Sequence, residues 1–454
     1  MTKNIIFSTG YVARTAIWII ARVFFCLPIT VFITPSLLAA QGGTPTEPTF
    51  IFAGEAWLGG GYQVQKNVLL TIDNERITRV QNDVDIQQLP EHASVLDLSC
   101  CFIIPGLIDT QTHLTSQPNL PPHSVRRTQW SDADRTVIAM RNAEKTLRGG
   151  FTSIRDMGHS GQSVFAVRDA INDGLIEGPR MQAAGELIRP TGGELAGWMQ
   201  EEIEQALHVA AICDGPADCG RAVRASIALG ADTIKVATKG DLAADSPSQF
   251  ALEELIAIRE AAHRKGVRVT ASGFSTDSIN LPLAAGFDGV VHGTYSDTET
   301  FELLRENKAW FIPTLLAARV VREMAEDPDS RRSDAWREEN LSIYHGMVAS
   351  FRAAMDAGVQ IAFGTDAGWR PHGENAEQLE QMVELGMTPH DALLSATAHA
   401  AAAIGWDSEI GAIEPDKYAD ILVLKGNPLE QITLTRTPLA VIKGGSVVVD
   451  NRDD

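Results

Sequence analysis

The chain has 454 residues, 44% of them hydrophobic and 21% charged, with a formal net charge of −20. That length suits one large domain plus a smaller one, and the hydrophobic share supports a sizeable core. The acidic balance excludes nucleic acid and anionic membrane surface as expected partners, because both bind through clustered Lys and Arg.

Residues 1–40 differ in kind from the rest. Lys3, Arg14 and Arg22 carry the only charges there, Val23 to Phe32 is an apolar run, and Ala39 and Ala40 precede the polar Gln41. This reads as a secretory signal peptide cleaved near Ala40, which implies a periplasmic or secreted protein with no stable membrane association after cleavage. The competing reading is an uncleaved anchor, since Ala16 to Ala40 is long enough to span a bilayer. Arg22 and Pro28 inside that stretch weigh against it. Export leaves Cys100, Cys101, Cys213 and Cys219. Cys213 and Cys219 flank the turn-forming Asp-Gly-Pro-Ala-Asp and are expected to close a small disulfide loop in an oxidising compartment. The neighbours Cys100 and Cys101 are expected to pack rather than to bridge each other.

From residue 41 to 104 the pattern is one of short alternating strands, Phe50–Ala53, Lys66–Ile72, Arg76–Val80 and Ser94–Leu98, separated by polar turns such as Asp73-Asn74-Glu75. Residues 411–454 carry the same kind of pattern in Ala419–Leu424, Ala440–Lys443 and Ser446–Asp450. One small β-sandwich assembled from both chain ends is therefore expected.

Residues 105–410 alternate strand and helix, the signature of parallel strands with crossover helices. The first strand, fed by Phe102-Ile-Ile104, ends in Asp109-Thr-Gln-Thr-His113, where period two directs Asp109, Gln111 and His113 to one side. Ser131-Asp-Ala-Asp134 resembles a capping box for a helix running to Leu147 and closed by Gly149-Gly150. Strands two to eight are Thr152–Asp156, Met181–Ile188, Asp232–Thr238, Val267–Ala271, Gly289–Thr294, Trp310–Leu315 and Gln360–Thr365. The fold class is thus α/β, a (β/α)8 barrel, whose reaction site lies at the C-terminal ends of the strands.

Four of those ends carry metal-ligand chemistry: His113, Lys235, His292 and Asp366. An ammonium in the apolar Thr233-Ile-Lys-Val-Ala237 is costly unless it is paired or neutralised, so Lys235 is expected to meet Asp366 or Asp156 if it binds no ion. Asp366, in Phe363-Gly-Thr-Asp-Ala-Gly368, is the candidate catalytic residue. A carboxylate there can take the proton of an attacking water and pass it to the leaving group.

Taken together, Pro105-Gly-Leu-Ile-Asp-Thr-Gln-Thr-His113, Gly230-Ala-Asp-Thr-Ile-Lys235, Val290-Val-His-Gly-Thr-Tyr295, the strand-eight Asp366 segment and Gly411-Ala-Ile-Glu-Pro-Asp-Lys-Tyr-Ala-Asp-Ile-Leu-Val-Leu424 resemble the amidohydrolase superfamily. Ser153-Ile-Arg-Asp-Met-Gly158, Pro190-Thr-Gly-Gly193, Cys213-Asp-Gly-Pro216 and Pro371-His-Gly-Glu-Asn375 are similar to strings of its imidazolonepropionase-like and Xaa-Pro-dipeptidase-like branch. The resemblance spans roughly residues 50–430. It implies a metal-dependent hydrolase of a small-molecule amide, cyclic amide or ester, with His113, Lys235, His292 and Asp366 as ligands and Lys235 carbamylated. Tyr295 would then donate to the substrate's polarised oxygen, and His372 and Arg155 would contact substrate. Zinc is the ion that nitrogen-rich donors favour. The oligomeric state is left open, a homo-oligomer included.

The chain departs from that pattern at two ligand positions. Gln111 stands where the family has the first histidine of His-x-His, and Thr270, in Thr270-Ala-Ser-Gly273, where it has the strand-five histidine. Gln111 can still offer an amide oxygen, but neither side chain binds zinc-type ions as imidazole does. Three outcomes follow: a single ion on His113, His292, Asp366 and carbamylated Lys235; recruitment of Glu186 or His159; or a metal-free, catalytically inactive binding protein of the cell envelope. A further enzymatic alternative uses Lys235 directly as a base or Schiff-base amine. Glu194 also stands where relatives often have His.

Overall fold

The computed structural model describes residues 49–89, 93–118, 128–194, 202, 210–239 and 243–452. The leader expected over residues 1–40 lies outside them. The strands, in chain order, are β1 (Thr49–Trp57), β2 (Val64–Asp73), β3 (Arg76–Gln81), β4 (Val95–Pro105), β5 (Leu107–Thr112), β6 (Phe151–Asp156), β7 (Arg180–Ala183) and β8 (Ile188–Arg189). They continue as β9 (Ala211–Ile212), β10 (Thr233–Ala237), β11 (Arg268–Gly273), β12 (Gly289–His292), β13 (Trp310–Ile312), β14 (Ile421–Leu424), β15 (Ala440–Lys443) and β16 (Ser446–Asp450). Helices alternate with the strands through the middle of the chain, so the fold is α/β. No helix among the described residues is long and apolar enough to cross a membrane.

Both chain ends do meet, but in one seven-stranded mixed sheet of order β16-β15-β14-β4-β1-β2-β3 rather than in a sandwich drawn as two sheets. Strand β4 joins the halves: it runs parallel to β1 and antiparallel to β14, with Pro105 opposite Ile421. Alternation along these strands divides the burial. Ile103, Ile421, Val423 and Ile442 enter a core with Ile51, Val68, Leu70 and Ile77. Their neighbours Phe102, Ile104, Leu422, Leu424 and Val441 enter the main core instead.

The parallel strands form two sheets, β5-β6-β7 and β13-β12-β11-β10-β8-β9. On β10 and β11 the alternate residues Ile234, Val236, Val269 and Ala271 pack beneath helix residues such as Leu255, Ile258, Ile279 and Leu283. The intervening Thr233, Lys235, Thr270 and Ser272 face the other way and are buried polar groups. A single ladder of eight strands is not what the pairing draws. The third expected strand, Met181–Ile188, is broken into β7 and β8 by Gly185, whose φ of 75° is open to glycine but not to an extended strand. The seventh ends at Ile312, and Leu315 already begins the helix Leu315–Glu326. The eighth, Gln360–Thr365, is not a ladder strand. It lies between β13 and β5, with Phe311 N–H donating to the Gln360 carbonyl (2.9 Å) and Thr110 N–H to that of Phe363 (3.0 Å). Asp366 N–H donates in turn to the Gln111 carbonyl (2.8 Å).

The helix Asp132–Arg148 starts as its sequence implies. Ser131 Oγ accepts from the Asp134 N–H, and the Asp134 carboxylate accepts from the Ser131 N–H. Cys213 and Cys219 are joined by a disulfide, as expected. Cys100 and Cys101 are free thiols, the first exposed and the second buried.

Candidate active site

The end of β5 delivers Gln111 and His113 together, but not Asp109. Two register irregularities in the β5–β6 pairing, one of them between Asp109 and Thr112, break the alternation on which the shared side depended. Asp109 turns instead to Thr365 and Asn375. It accepts from Thr365 Oγ1 at 2.5 Å, from Asn375 Nδ2 at 2.7 Å, and from the Gln111 and Thr365 amides at 3.1 Å each. Full burial nonetheless raises its carboxyl to about 6, against the pull of those bonds.

His113 donates Nδ1–H to the Gly158 carbonyl at 3.0 Å. Its Nε2 faces Asp366 Oδ1 at 3.1 Å. That backbone acceptor fixes the ring and leaves Nε2 as the functional nitrogen. Burial opposes charge on this imidazole, but the Asp366 carboxylate wins and its pKa is raised. Gln111 Nε2 lies 3.0 Å from Asp366 Oδ1 and 3.2 Å from His113 Nε2, and the amide Oε1 is buried without a donor.

Asp366 and His292 share an unusual backbone. Among the described residues they are the only buried non-glycine positions with positive φ, 59° and 68°. The other positive-φ side chains are exposed, in turns for the most part. Non-glycine residues enter this region at a cost and persist where the surroundings hold them. His292 is held through Nδ1 to Thr314 Oγ1 at 2.7 Å and by the Phe274 ring, centred 4.8 Å away. Burial keeps its imidazole neutral, well below the usual range. Burial alone would raise Asp366. The hydrogen bond from His113 and the nearby charges of His113 and Lys235 instead hold it far below the usual carboxylate range.

Lys235 is 4% exposed, and burial lowers its amine to about 8 against the opposing pull of Asp366 and Glu194. Across the sheet it pairs with Thr270. Thr270 Oγ1 accepts from Arg155 Nη1 at 3.3 Å, and Arg155 Nε donates to the Thr110 carbonyl at 2.8 Å. Arg155 is only 1% exposed, its Nη2 has no partner, and burial brings its guanidinium down to about 9. These contacts place it within the protein interior, not at an open substrate surface.

The remaining expected residues are more dispersed. Tyr295 is half-buried, with its hydroxyl 3.2 Å from Ser342 Oγ. His372 has both ring nitrogens engaged, Nδ1 with Thr146 Oγ1 at 3.2 Å and Nε2 with the carbonyls of Ser116 (3.0 Å) and His113 (3.2 Å). Burial lowers it to about 4, so it braces the loop after β5 as a neutral ring. His159 pairs with Asp156 at 3.2 Å and edges onto Phe165, and Glu186 is half-buried between β7 and β8. Asp156 accepts from the Leu114 amide at 2.7 Å and meets His159, not Lys235. Among the described residues no three His, Cys, Asp or Glu side chains converge as a formed metal site. Sequence reasoning assigned nothing to Thr314, Asn375 or Lys239. The last is visible only as a second lysine four residues after Lys235.

The amidohydrolase family profile matches residues 102–448, which takes in every strand end described above. The chain belongs to the amidohydrolase family. Ochratoxinase from Aspergillus niger is 29% identical over 423 residues, covering 88% of this chain and 86% of that protein. Its crystal structure superposes with a TM-score of 0.79 at 26% identity, over 89% of this chain and 96% of that one. The structure of a Xaa-Pro dipeptidase with bound methionine in the active site gives a TM-score of 0.80 at 31% identity, over 88% and 99%. An imidazolonepropionase from Chloroflexus aggregans is 36% identical over 118 residues, 25% of this chain and 27% of that one. The expected family is therefore borne out. This amidohydrolase is an enzyme, a hydrolase acting on C–N bonds.

Proposed function

We propose that this amidohydrolase cleaves a small-molecule amide, cyclic amide or ester in the periplasm, dipeptide-like substrates included. Its parallel strands would act as a (β/α)8 barrel with residues 360–367 as the eighth stave. The disulfide Cys213–Cys219 supports an oxidising compartment. The observation that carries the reading is the convergence of His113, Asp366 and Gln111 at one strand mouth, with His292 and Asp366 both in a left-handed backbone.

The residues do not fit the family's two-ion ligand set. Gln111 and Thr270 stand at two histidine positions, and Thr270 Oγ1 is taken by Arg155. These groups are not gathered about one point among the described residues, but by their chemistry His113 Nε2, His292 and Asp366, with Lys235 as a carbamate, would draw together on one divalent ion, zinc first. Gln111 turns its Nε2 toward His113 and Asp366, so the partnerless Oε1 would join such a ligand set only after a turn of the amide. When bound, such an ion polarises a carbonyl and lowers the pKa of water.

The protein's own groups supply the rest. Asp366, kept ionised by its cationic neighbours, would accept a proton from the attacking water at its carboxylate and return it to the leaving nitrogen. His113, steadied by Gly158, would present Nε2 to the ion in place of its contact with Asp366. Tyr295 would exchange Ser342 for the substrate's carbonyl oxygen. The lowered Lys235 amine favours one second reading, in which Lys235 itself is the base.

The test is metal per chain, by elemental mass spectrometry, on exported protein purified without chelator, beside an amide and ester panel. About one equivalent, lost in Asp366→Ala and His292→Ala together with turnover, is the expected result. An inactive wild type that gains metal and activity only as Gln111→His/Thr270→His would overturn it in favour of an inactive binding protein.

A further inference from the structure

Glu194 and Lys239 form a charge pair that the mechanism above leaves unused. Lys239 Nζ lies 3.3 Å from Glu194 Oε1 and 3.8 Å from the centre of the Phe274 ring. A carboxylate and an aromatic face both favour a cation, so the ammonium is held from two sides. The same Phe274 ring packs against His292. Lys239 follows the end of β10, the strand that carries Lys235. The pair therefore stands beside the strand ends that carry the reacting groups, with side chains only 20% and 12% exposed.

The two oxygens of Glu194 are not equivalent. Oε1 is occupied by Lys239. Oε2 is buried and accepts no hydrogen bond. A carboxylate oxygen withdrawn from water without a donor is unfavourable in isolation. Next to a reaction site it becomes a recognition element, because a ligand that brings the donor gains what the empty site lacks. A charged acceptor discriminates most strongly in favour of a charged donor. Lys239 restricts the carboxylate to one free oxygen and one direction.

We propose that Glu194, oriented by Lys239, is a substrate-binding residue whose Oε2 accepts a hydrogen bond from an ammonium group borne on the same molecule as the scissile amide. This rests on the amide-hydrolase reading of the neighbouring site. It narrows the substrate class to amides that carry a free amine, and it gives the pair a specificity function distinct from proton transfer at Asp366.

The test uses glycine 4-nitroanilide and 4-nitroacetanilide, which differ only in the exchange of an ammonium for a hydrogen. Binding of each to the full exported protein is measured by calorimetry, and release of 4-nitroaniline is followed in parallel. The wild type is expected to bind the glycine anilide at least about 10-fold more tightly, as one charge-assisted bond provides. Glu194→Gln should erase that preference. Lys239→Met, a second variant should the first fail to fold, should reduce the preference several-fold. Equal binding of the two anilides by the wild type, no binding of either, or a preference that survives in Glu194→Gln and Lys239→Met would overturn the proposal. A Glu194-dependent preference without any 4-nitroaniline release would uphold it and count against amide hydrolysis instead.

Discussion

Gln111 and Asp366 are joined twice: the amide Nε2 donates to the carboxylate Oδ1 at 3.0 Å, and the Asp366 N–H donates to the Gln111 carbonyl at 2.8 Å. The glutamine that stands, by resemblance, where the family has a histidine is thus integrated with the Asp366 carboxylate rather than merely tolerated beside it. Gln111→His exchanges an amide donor for an imidazole acceptor at that point. It should raise the divalent metal retained per chain after dialysis, read by elemental mass spectrometry. Unchanged metal content would show that the ligand set is limited elsewhere, with Thr270 the next position to change.

Asp366→Ala removes the proposed proton carrier and the partner of His113. Turnover of any amide that the wild type cleaves should fall roughly 10²–10⁴-fold. Asp366→Asn, which keeps the shape, should fall as far. Activity retained in the Asn variant would assign the proton transfer to another group, Lys235 first.

Lys235 distinguishes a carbamate from a free amine. If it is carbamylated, added bicarbonate should increase activity and metal retention in the wild type and do neither in Lys235→Ala. If it acts as a Schiff-base amine, borohydride with a carbonyl substrate should leave a mass adduct on the peptide containing Lys235. Full activity in Lys235→Ala would remove it from both mechanisms.

His372 gives a pH prediction. Burial lowers its folded value to about 4 from an ordinary 6.5. The unfolded chain therefore binds the extra proton between those values, and stability falls as pH drops through that window. The contribution is on the order of 3 kcal/mol. Asp109, raised to about 6, works the opposite way over nearly the same range. The slope is thus best read as a difference. Denaturant midpoints of His372→Gln should decline less than those of the wild type between pH 6.5 and 4.5, and parallel slopes would refute the assignment.

The disulfide Cys213–Cys219 closes a small loop before the helix Pro216–Ala228. Cys213→Ser/Cys219→Ser should cost about 2 kcal/mol and lower the melting temperature by roughly 2–3 °C. Peptide mapping without reductant should find the two joined in exported protein. Finding both thiols free in that material would contradict the periplasmic assignment.

Much of this arrangement was legible in the chain. Strand–helix alternation located β6, β10, β11 and β12 to within a residue or two of their ends. Strand-end polarity picked out His113, Gln111 and Asp366, which do meet. What was not legible has local causes. Asp109 departs from Gln111 and His113 because the ladder slips a register between Asp109 and Thr112. His292 gives little sequence sign of a left-handed backbone, since histidine enters that region more often than most side chains but still rarely, and its partner Thr314 lies beyond the next strand. Glu194 and Lys239 meet through tertiary structure alone, from segments with no shared periodicity.

The seven-stranded sheet imposes an order on synthesis. Strands β1 to β4 are made first, yet the antiparallel partner of β4 is β14, and Pro105 waits for Ile421. Until the last segment arrives, one edge of β4 offers unpaired N–H and C=O groups beside Phe102 and Ile103. Such an edge invites pairing with other chains. A nascent chain arrested just before residue 411 should therefore be the most aggregation-prone and most protease-sensitive point in its production. Folding would depend on a holding factor, or on speed, until the carboxyl terminus has been made.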